Sequence, residues 1–319
     1  MLLPAEPRIR WTLSRAATLL ELGAEPVRGL VLPTDEHFPD VFDGTPRAVS
    51  ALLARTQKIA GLSDIEAEIS FVTPEGEAAE GGGCGTGACG PSGKMEARLD
   101  RVGRRSDGSY VIAIGTGEVR DPVVLTTALV RSVACMFMTE AGAYESMPSV
   151  DREPVTDLAG VMLGFGVLLA NGSHVVVKGC GGSKVHSATK LATEDITLAL
   201  AIFCKLFGVD PRSAAKHLDP VPRERFADSE TWTRTNAAVV KRIRDDADGI
   251  RNGTFVLDQA EGWVSRIFGR GKRGPTAEET LSELERTMTV STARKPADPA
   301  RAKKLAEIRA LVDESFEER

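Results

Sequence analysis

The segment from Asp121 to about Glu140 constrains the fold of this chain more than any other. Most of its residues are apolar, and in a helix they would lie on all sides instead of forming one stripe. A helix with this pattern is buried on nearly all sides. Thr127, Arg131 and Cys135 nevertheless recur four residues apart, which places them on one face. A buried arginine is costly without an anionic partner, so the sequence predicts such a partner for Arg131.

The next apolar helix offers that partner. Glu153 and Asp157 are four residues apart and share a face in its first turns, and Pro154 is expected at its start. The stretch Leu158–Ala170 that follows is again strongly apolar. Two buried helices are therefore each expected to present a small polar patch. The simplest interpretations are a structural ion pair between packed helices or an Arg131 side chain that reaches solvent.

The rest of the chain predicts a mixture of helices and short strands. Apolar residues at helical spacing indicate helices, and alternating or β-branched runs indicate strands. Helices are predicted over 8–22, 46–61, 122–140, from 151–154 to about 171, over 191–208 and within 221–248. Strands are predicted over 27–32, 68–73, 110–114 and 174–178. The fold class that follows is α+β, with buried helices and a small sheet.

The run from Val31 to about Leu218 resembles a bacterial family of zincin-like, gluzincin-like metallopeptidases. The residues that carry the resemblance are Leu32–Asp40 (LPTDEHFPD), Asp43-Gly44, Asp121-Pro122, Asp151–Leu158 (DREPVTDL), Gly164–Val167 and Ala170-Asn171. The first motif and the DREPVTDL motif are the more specific ones. The resemblance implies a zincin-like fold for this part of the chain.

In such families one helix carries His-Glu-x-x-His, and the next helix supplies a glutamate as the third zinc ligand. An aspartate four residues later orients a ligand histidine. Glu153 and Asp157 match that second helix, whereas Arg131, Ser132 and Cys135 stand where the first histidine, the glutamate and the second histidine would be. The resemblance therefore implies a degenerate member that has lost the His-Glu-x-x-His motif and its peptidase site.

We hypothesise that the Arg131 guanidinium takes the place of the metal and bridges Glu153 and Asp157, because its planar fork of donors suits two carboxylates. We expect no catalytic residue, no metal and no cofactor at this remnant, which includes Ser132 and Cys135. The expected function is a non-catalytic, degenerate metallopeptidase-like scaffold or a protein-interaction module. The alternative is a metal-dependent hydrolase that binds zinc through the atypical set Cys135, Glu153 and Asp157.

Two glycine-rich segments suggest other sites. Three cysteines and two histidines lie in or beside these segments, namely Cys84, Cys89, Cys180, His174 and His186. Together they allow a structural zinc site or a redox pair. Residues 85–90 fit the nucleotide-binding pattern G-x-G-x-x-G, but no strong strand precedes them and no helix is predicted directly after them. A nucleophilic Cys135 beside Arg131 is a further alternative, although the sequence places no histidine next to it.

The C-terminal part of the chain differs in character from the rest. We divide the chain into a zincin-like domain at 1–260, a basic flexible linker at 261–275 and a helical tail at 276–319. The amphipathic tail predicts a protein partner or self-association. The basic, apolar segment Trp263–Phe268 could contact an anionic membrane or pack back on the domain.

Composition excludes several classes of protein. The chain has 40 basic and 45 acidic residues and a net charge of −5, which argues against nucleic acid as a partner. Five cysteines, an odd number, do not indicate a disulfide framework. We see no secretory signal and no apolar run of about 18 residues that could span a bilayer. These features predict a cytoplasmic protein.

Overall fold

A buried helix, α3 (Pro122–Glu140), runs through the centre of the domain. The computed structural model describes residues 2–72, 101–145, 147–179 and 182–258. Asp121 begins α3, because its carboxylate accepts hydrogen bonds from the backbone N–H groups of Val123 and Val124. Of the residues in α3, thirteen are buried, including Arg131 and Ser132. The predicted burial of this helix is confirmed.

Helices make up most of the described residues, and two small sheets complete an α+β fold. Before α3 lie α1 (Glu6–Glu21), α2 (Pro46–Ala60), β1 (Ala67–Val72), β2 (Val102–Arg104), β3 (Tyr110–Gly115) and a 3₁₀ turn at Glu118–Arg120. After it lie α4 (Ser149–Gly160), a π-helical turn (Val161–Phe165), α5 (Gly166–Gly172), β4 (Val175–Gly179), β5 (Gly182–His186), α6 (Thr193–Leu206), α7 (Pro211–Ala215), α8 (Pro220–Thr235), α9 (Ala237–Asp245) and α10 (Ala247–Arg251). Residues 1–260 form one compact unit.

The first sheet covers one side of α3. Its strand order is β1-β3-β2, in which β1 runs parallel and β2 antiparallel to β3. Alternate side chains of β3 are buried in the core, namely Tyr110, Ile112 and Ile114. The predicted strands over 68–73 and 110–114 are therefore confirmed within one or two residues. The second sheet is a two-stranded antiparallel ribbon of β4 and β5.

The predicted strand over 27–32 is wrong. This segment forms no strand, and the backbone N–H of Val31 donates instead to the carbonyl of Gly164 in the π-helical turn. Gly164 has a φ of +103°, and a Cβ atom there would lie 2.3 Å from the carbonyl oxygen of Gly29. The apolar run thus packs against an interruption in a helix, because glycine permits the close approach of the two backbones.

The helix that carries Glu153 and Asp157 begins earlier than the sequence suggested. α4 starts at Ser149, so Pro154 lies inside the helix and not at its start. Taken together across the kink at Gly164, the segment Ser149–Gly172 is long and apolar enough to cross a membrane, as is α3. The expectation that no such segment exists is therefore wrong by length and composition. The most apolar stretch of Ser149–Gly172 is 94% buried in the domain and that of α3 is 72% buried, as expected for core helices.

Several sequence predictions lie outside the described residues. They are the linker at 261–275, the tail at 276–319, the segment Trp263–Phe268, and Cys84, Cys89 and Cys180.

Candidate functional site

The Arg131 side chain forms the polar centre of the core. Its Nε donates to Oδ1 of Asp157 at 2.5 Å, and one terminal nitrogen lies 3.4 Å from Oε2 of Glu153. The Arg131 and Asp157 side chains are 1% and 0% exposed, whereas that of Glu153 is 30% exposed. The bridge from Arg131 to both carboxylates, predicted from the sequence, is confirmed. The alternative of an arginine that reaches solvent is wrong.

Asp157 has a second set of partners that the sequence did not reveal. Its Oδ2 accepts hydrogen bonds from the backbone N–H groups of Lys190 at 2.6 Å and Leu191 at 2.8 Å. Those two residues precede α6, so the carboxylate ties three segments of the core together. Both Asp157 oxygens are therefore engaged in strong, charge-assisted hydrogen bonds. Backbone donors of this kind leave no pattern of residue types, which is why the sequence did not identify them.

Ser132 and Cys135 take part in helix packing. Ser132 is buried, and its hydroxyl donates to the carbonyl of Ala128 at 2.8 Å, one turn earlier in α3. Cys135 is 7% exposed, and burial raises the pKa of its thiol, although hydrogen bonds with Tyr144 and Thr139 oppose the rise. The thiol is thus protonated at neutral pH, so it is a poor nucleophile.

Tyr144 joins the two helices beside this thiol. Its hydroxyl lies 2.5 Å from Oγ1 of Thr156 on α4, and Thr156 also donates to the carbonyl of Arg152. Burial raises the pKa of Tyr144 well above its usual value, and the neighbouring Cys135 adds to the effect. The phenol is therefore a neutral, structural link. Sequence reasoning missed it because Tyr144 lies in the connection after α3, outside any periodic pattern.

The donor set around Arg131 does not fit a metal ion. The Arg131 guanidinium already contacts Asp157 and Glu153, and both oxygens of Asp157 accept hydrogen bonds. A zinc site needs ligands that converge on a position that no other cation occupies. Within the described parts of the chain, no three His, Cys, Asp or Glu side chains are placed to hold a metal.

The two histidines of the alternative zinc site lie near the base of the β4–β5 ribbon. His186 pairs with Val175, and His174 immediately precedes β4. Neither belongs to a metal-binding group among the described residues. The three cysteines of that set lie outside the described residues, so the structure leaves this alternative a prediction.

The LPTDEHFPD motif lies on the surface next to α2. Arg55 Nε donates to the carbonyl of His37 at 2.8 Å, and Thr34 Oγ1 lies 3.4 Å from the His37 ring. Burial lowers the pKa of His37, and the cationic neighbours Arg28 and Arg55 lower it further, although Glu36 opposes them. None of the hydrogen bonds given above for Arg131 and Asp157 involves a residue of this motif.

Comparisons with known proteins give no relative for this chain: it matches no family model, no curated protein and no solved structure.

Proposed function

We propose that residues 1–260 form a zincin-like scaffold without catalytic activity that serves as a protein-interaction module. One observation carries the proposal: the buried Arg131 guanidinium contacts the two carboxylates, Glu153 and Asp157, that match the ligand helix of a zincin. In the resemblance described above, Arg131 stands at the position of a zinc-binding histidine. The cation of the side chain then replaces the charge of the metal.

The chemistry of the neighbouring positions supports the same proposal. Ser132 stands where a zincin has its general base, but a hydroxyl bonded to the Ala128 carbonyl cannot accept a proton from water. Cys135 stands where the second histidine would be, and its thiol is buried beside the cationic Arg131. The alternative hydrolase with Cys135, Glu153 and Asp157 as ligands requires a thiolate and a displaced arginine, so the observed contacts favour the scaffold.

An interaction role is the part of the proposal that rests on the sequence. The amphipathic segment within 276–319 has an apolar stripe that needs a partner, either another protein or a second copy of the chain. This tail is therefore one proposed contact region of the scaffold. A cytoplasmic location is proposed with it, from the odd number of cysteines.

Elemental analysis with a peptidase assay tests the lost site. We expect full-length protein to cleave no peptide of a mixed library above the buffer rate, and its zinc content to be the same in wild type and Glu153→Ala. One equivalent of zinc that disappears in Glu153→Ala would contradict the proposal. Zinc that disappears only in Cys84→Ser/Cys89→Ser would instead assign a structural site to the glycine-rich segment.

A further inference from the structure

A cavity of about 380 Å³ lies between α6, the connection to α7, and α8. Its volume is within the range of about 300 to 1,000 Å³ that is usual for small-molecule sites. Cys204 and Lys205 line it near the end of α6, and Thr233 and Arg234 line it from α8. The Arg131 cluster contacts the chain just before the other end of α6, a helix about 20 Å long, so the two places are separate.

The hydroxyl of Thr233 is an unused polar group in the wall of this cavity. Thr233 is 4% exposed, and its Oγ1 has no hydrogen-bond partner within the described residues. The other hydroxyl residues of α8 behave differently, because Ser229, Thr231 and Thr235 each donate to the carbonyl four residues earlier. A buried polar group without a partner is costly, so a ligand atom that bonds to the Thr233 hydroxyl would stabilise this wall.

Two opposite charges at the cavity are also unpaired. Lys205 and Asp210 both line it and both are exposed, yet neither forms an ion pair in the part of the chain that the structure describes. Asp210 begins α7, where one of its oxygens accepts the backbone N–H of Arg212 at 3.0 Å, and no described residue bonds to the other oxygen. Glu230 and Arg234, which also line the cavity, bond to each other. Among the described residues, the cavity therefore offers a free cation and a free carboxylate.

The buried side of the cavity combines apolar contacts with a negative electrostatic field. Ala201 and Val209 contribute apolar surface to its lining. Burial raises the pKa of the Cys204 thiol to about 12, and the nearby carboxylates of Asp210 and Glu230 add to the rise. The two carboxylates favour a cationic group of a ligand on this side, and the apolar residues favour a short aliphatic group beside it.

We propose that this cavity binds a small zwitterion with one ammonium and one carboxylate group, which is the class of free amino acids. The ligand ammonium faces Asp210, its carboxylate faces Lys205 and accepts from the Thr233 hydroxyl, and its side chain lies against Val209. A ligand with both charges pairs with both free groups, whereas an amine or an acid alone leaves one of them unpaired. Because the ion pairs are partly exposed, the affinity is modest, with a Kd of about 10 μM to 1 mM.

Isothermal titration calorimetry of the full-length protein tests the proposal. Each of the common amino acids is titrated singly, up to about 10 mM, and the tightest one is compared with its decarboxylated amine and its deaminated acid. We expect at least one amino acid to bind in a ratio of one per chain with a Kd below about 1 mM. Both single-charge analogues should bind at least about tenfold more weakly, because each loses one charge-assisted contact.

Three variants assign the contacts. Lys205→Met keeps most of the side-chain length and removes the charge, Asp210→Asn keeps a residue that caps α7, and Thr233→Val keeps the shape of the side chain. We expect each to weaken binding of the amino acid about tenfold, because each removes one charge-assisted hydrogen bond. Asp210→Asn should not weaken binding of the deaminated acid, which has no ammonium. Lys241→Met removes a lysine whose side chain is 78% exposed on α9, and this matched control should bind as wild type does.

A wild type that binds no amino acid at about 10 mM would overturn the proposal. So would Lys205→Met and Asp210→Asn variants that bind as tightly as wild type, or an amine or acid that binds as tightly as its parent amino acid. Zinc content and peptidase activity test the lost site separately, because the Arg131 cluster lies at the other end of α6. An amino acid bound in this cavity leaves the lost site unaffected, and zinc at Glu153 would leave the cavity unaffected.

Discussion

Arg131 Nε and Asp157 Oδ1 lie 2.5 Å apart on two facing helices, and both side chains are almost completely excluded from solvent. Two charges in such a place depend on each other, because removal of either one leaves the other buried and unpaired. Asp157 also accepts the backbone N–H groups of Lys190 and Leu191. The pair therefore holds α3, α4 and the start of α6 in one arrangement.

Arg131→Met removes the cation but keeps much of the side-chain volume. We expect a loss of about 3–5 kcal/mol in the free energy of unfolding, because Asp157 is left as an uncompensated buried charge. Urea unfolding of wild type and variant measures the loss, and Asp157→Asn completes a double-mutant cycle. An Arg131→Met variant as stable and as soluble as wild type would show that the pair is not important.

Glu153→Gln tests the weaker arm of the bridge. The Glu153 side chain is 30% exposed and its oxygen lies 3.4 Å from the guanidinium, so water screens the contact. We expect a loss of about 1 kcal/mol or less in the same urea experiment, far smaller than that of Arg131→Met. Equal losses in the two variants would mean that Glu153 carries as much of the buried charge as Asp157.

Gly164→Ala tests the close approach between the π turn and the segment before α2. The position combines a φ of +103° with a backbone oxygen only 2.3 Å from the new Cβ, so we expect a loss of at least about 2 kcal/mol. Gly142→Ala is the matched control: its φ is +63° and open space surrounds it, so only backbone strain of about 1 kcal/mol applies. Urea unfolding compares them, and equal losses would show that the Gly29 contact is unimportant.

Asp195 predicts a pH dependence of stability. Burial raises the pKa of its carboxyl, although the ion pair with Arg8 opposes the rise, and its Oδ1 has no hydrogen-bond partner. The unfolded chain then loses this proton at a lower pH than the folded protein does. The contribution of Asp195 to stability therefore falls as pH increases from the unfolded pKa, about 4, to the folded pKa, and then stays constant.

Asp195→Asn removes that contribution. Urea unfolding at a series of pH values should show that stability relative to wild type rises for the variant across this window and is level above it. Other carboxyls, including Asp43 and Asp246, have lowered pKa values and act in the opposite direction, so the difference between the two proteins is the quantity to compare. A difference that is flat with pH would contradict a raised pKa at Asp195.

The sequence predicts the buried helix and its ion pair because both follow from local rules. Apolar residues around a whole helix indicate burial, and a buried Arg131 requires carboxylates such as Glu153 and Asp157 at the matching spacing. The predicted strand over 27–32 is wrong because an apolar run has the same sequence pattern whether it joins a sheet or packs against a helix. The hydrogen-bond partner of Val31 in this run is Gly164, more than a hundred residues away, and no local pattern identifies a contact of that kind.

The measurement that tests the lost zinc site most directly is a zinc titration of a variant with the His-Glu-x-x-His motif restored. Arg131→His/Ser132→Glu/Cys135→His, shown to be folded by circular dichroism, is titrated beside wild type and Arg131→Met. We expect about one zinc per chain with a Kd below about 1 μM for the restored variant and none at this position in the other two. A folded variant that binds no more zinc than wild type, or a wild type that binds one zinc through Glu153, would contradict the lost zinc site.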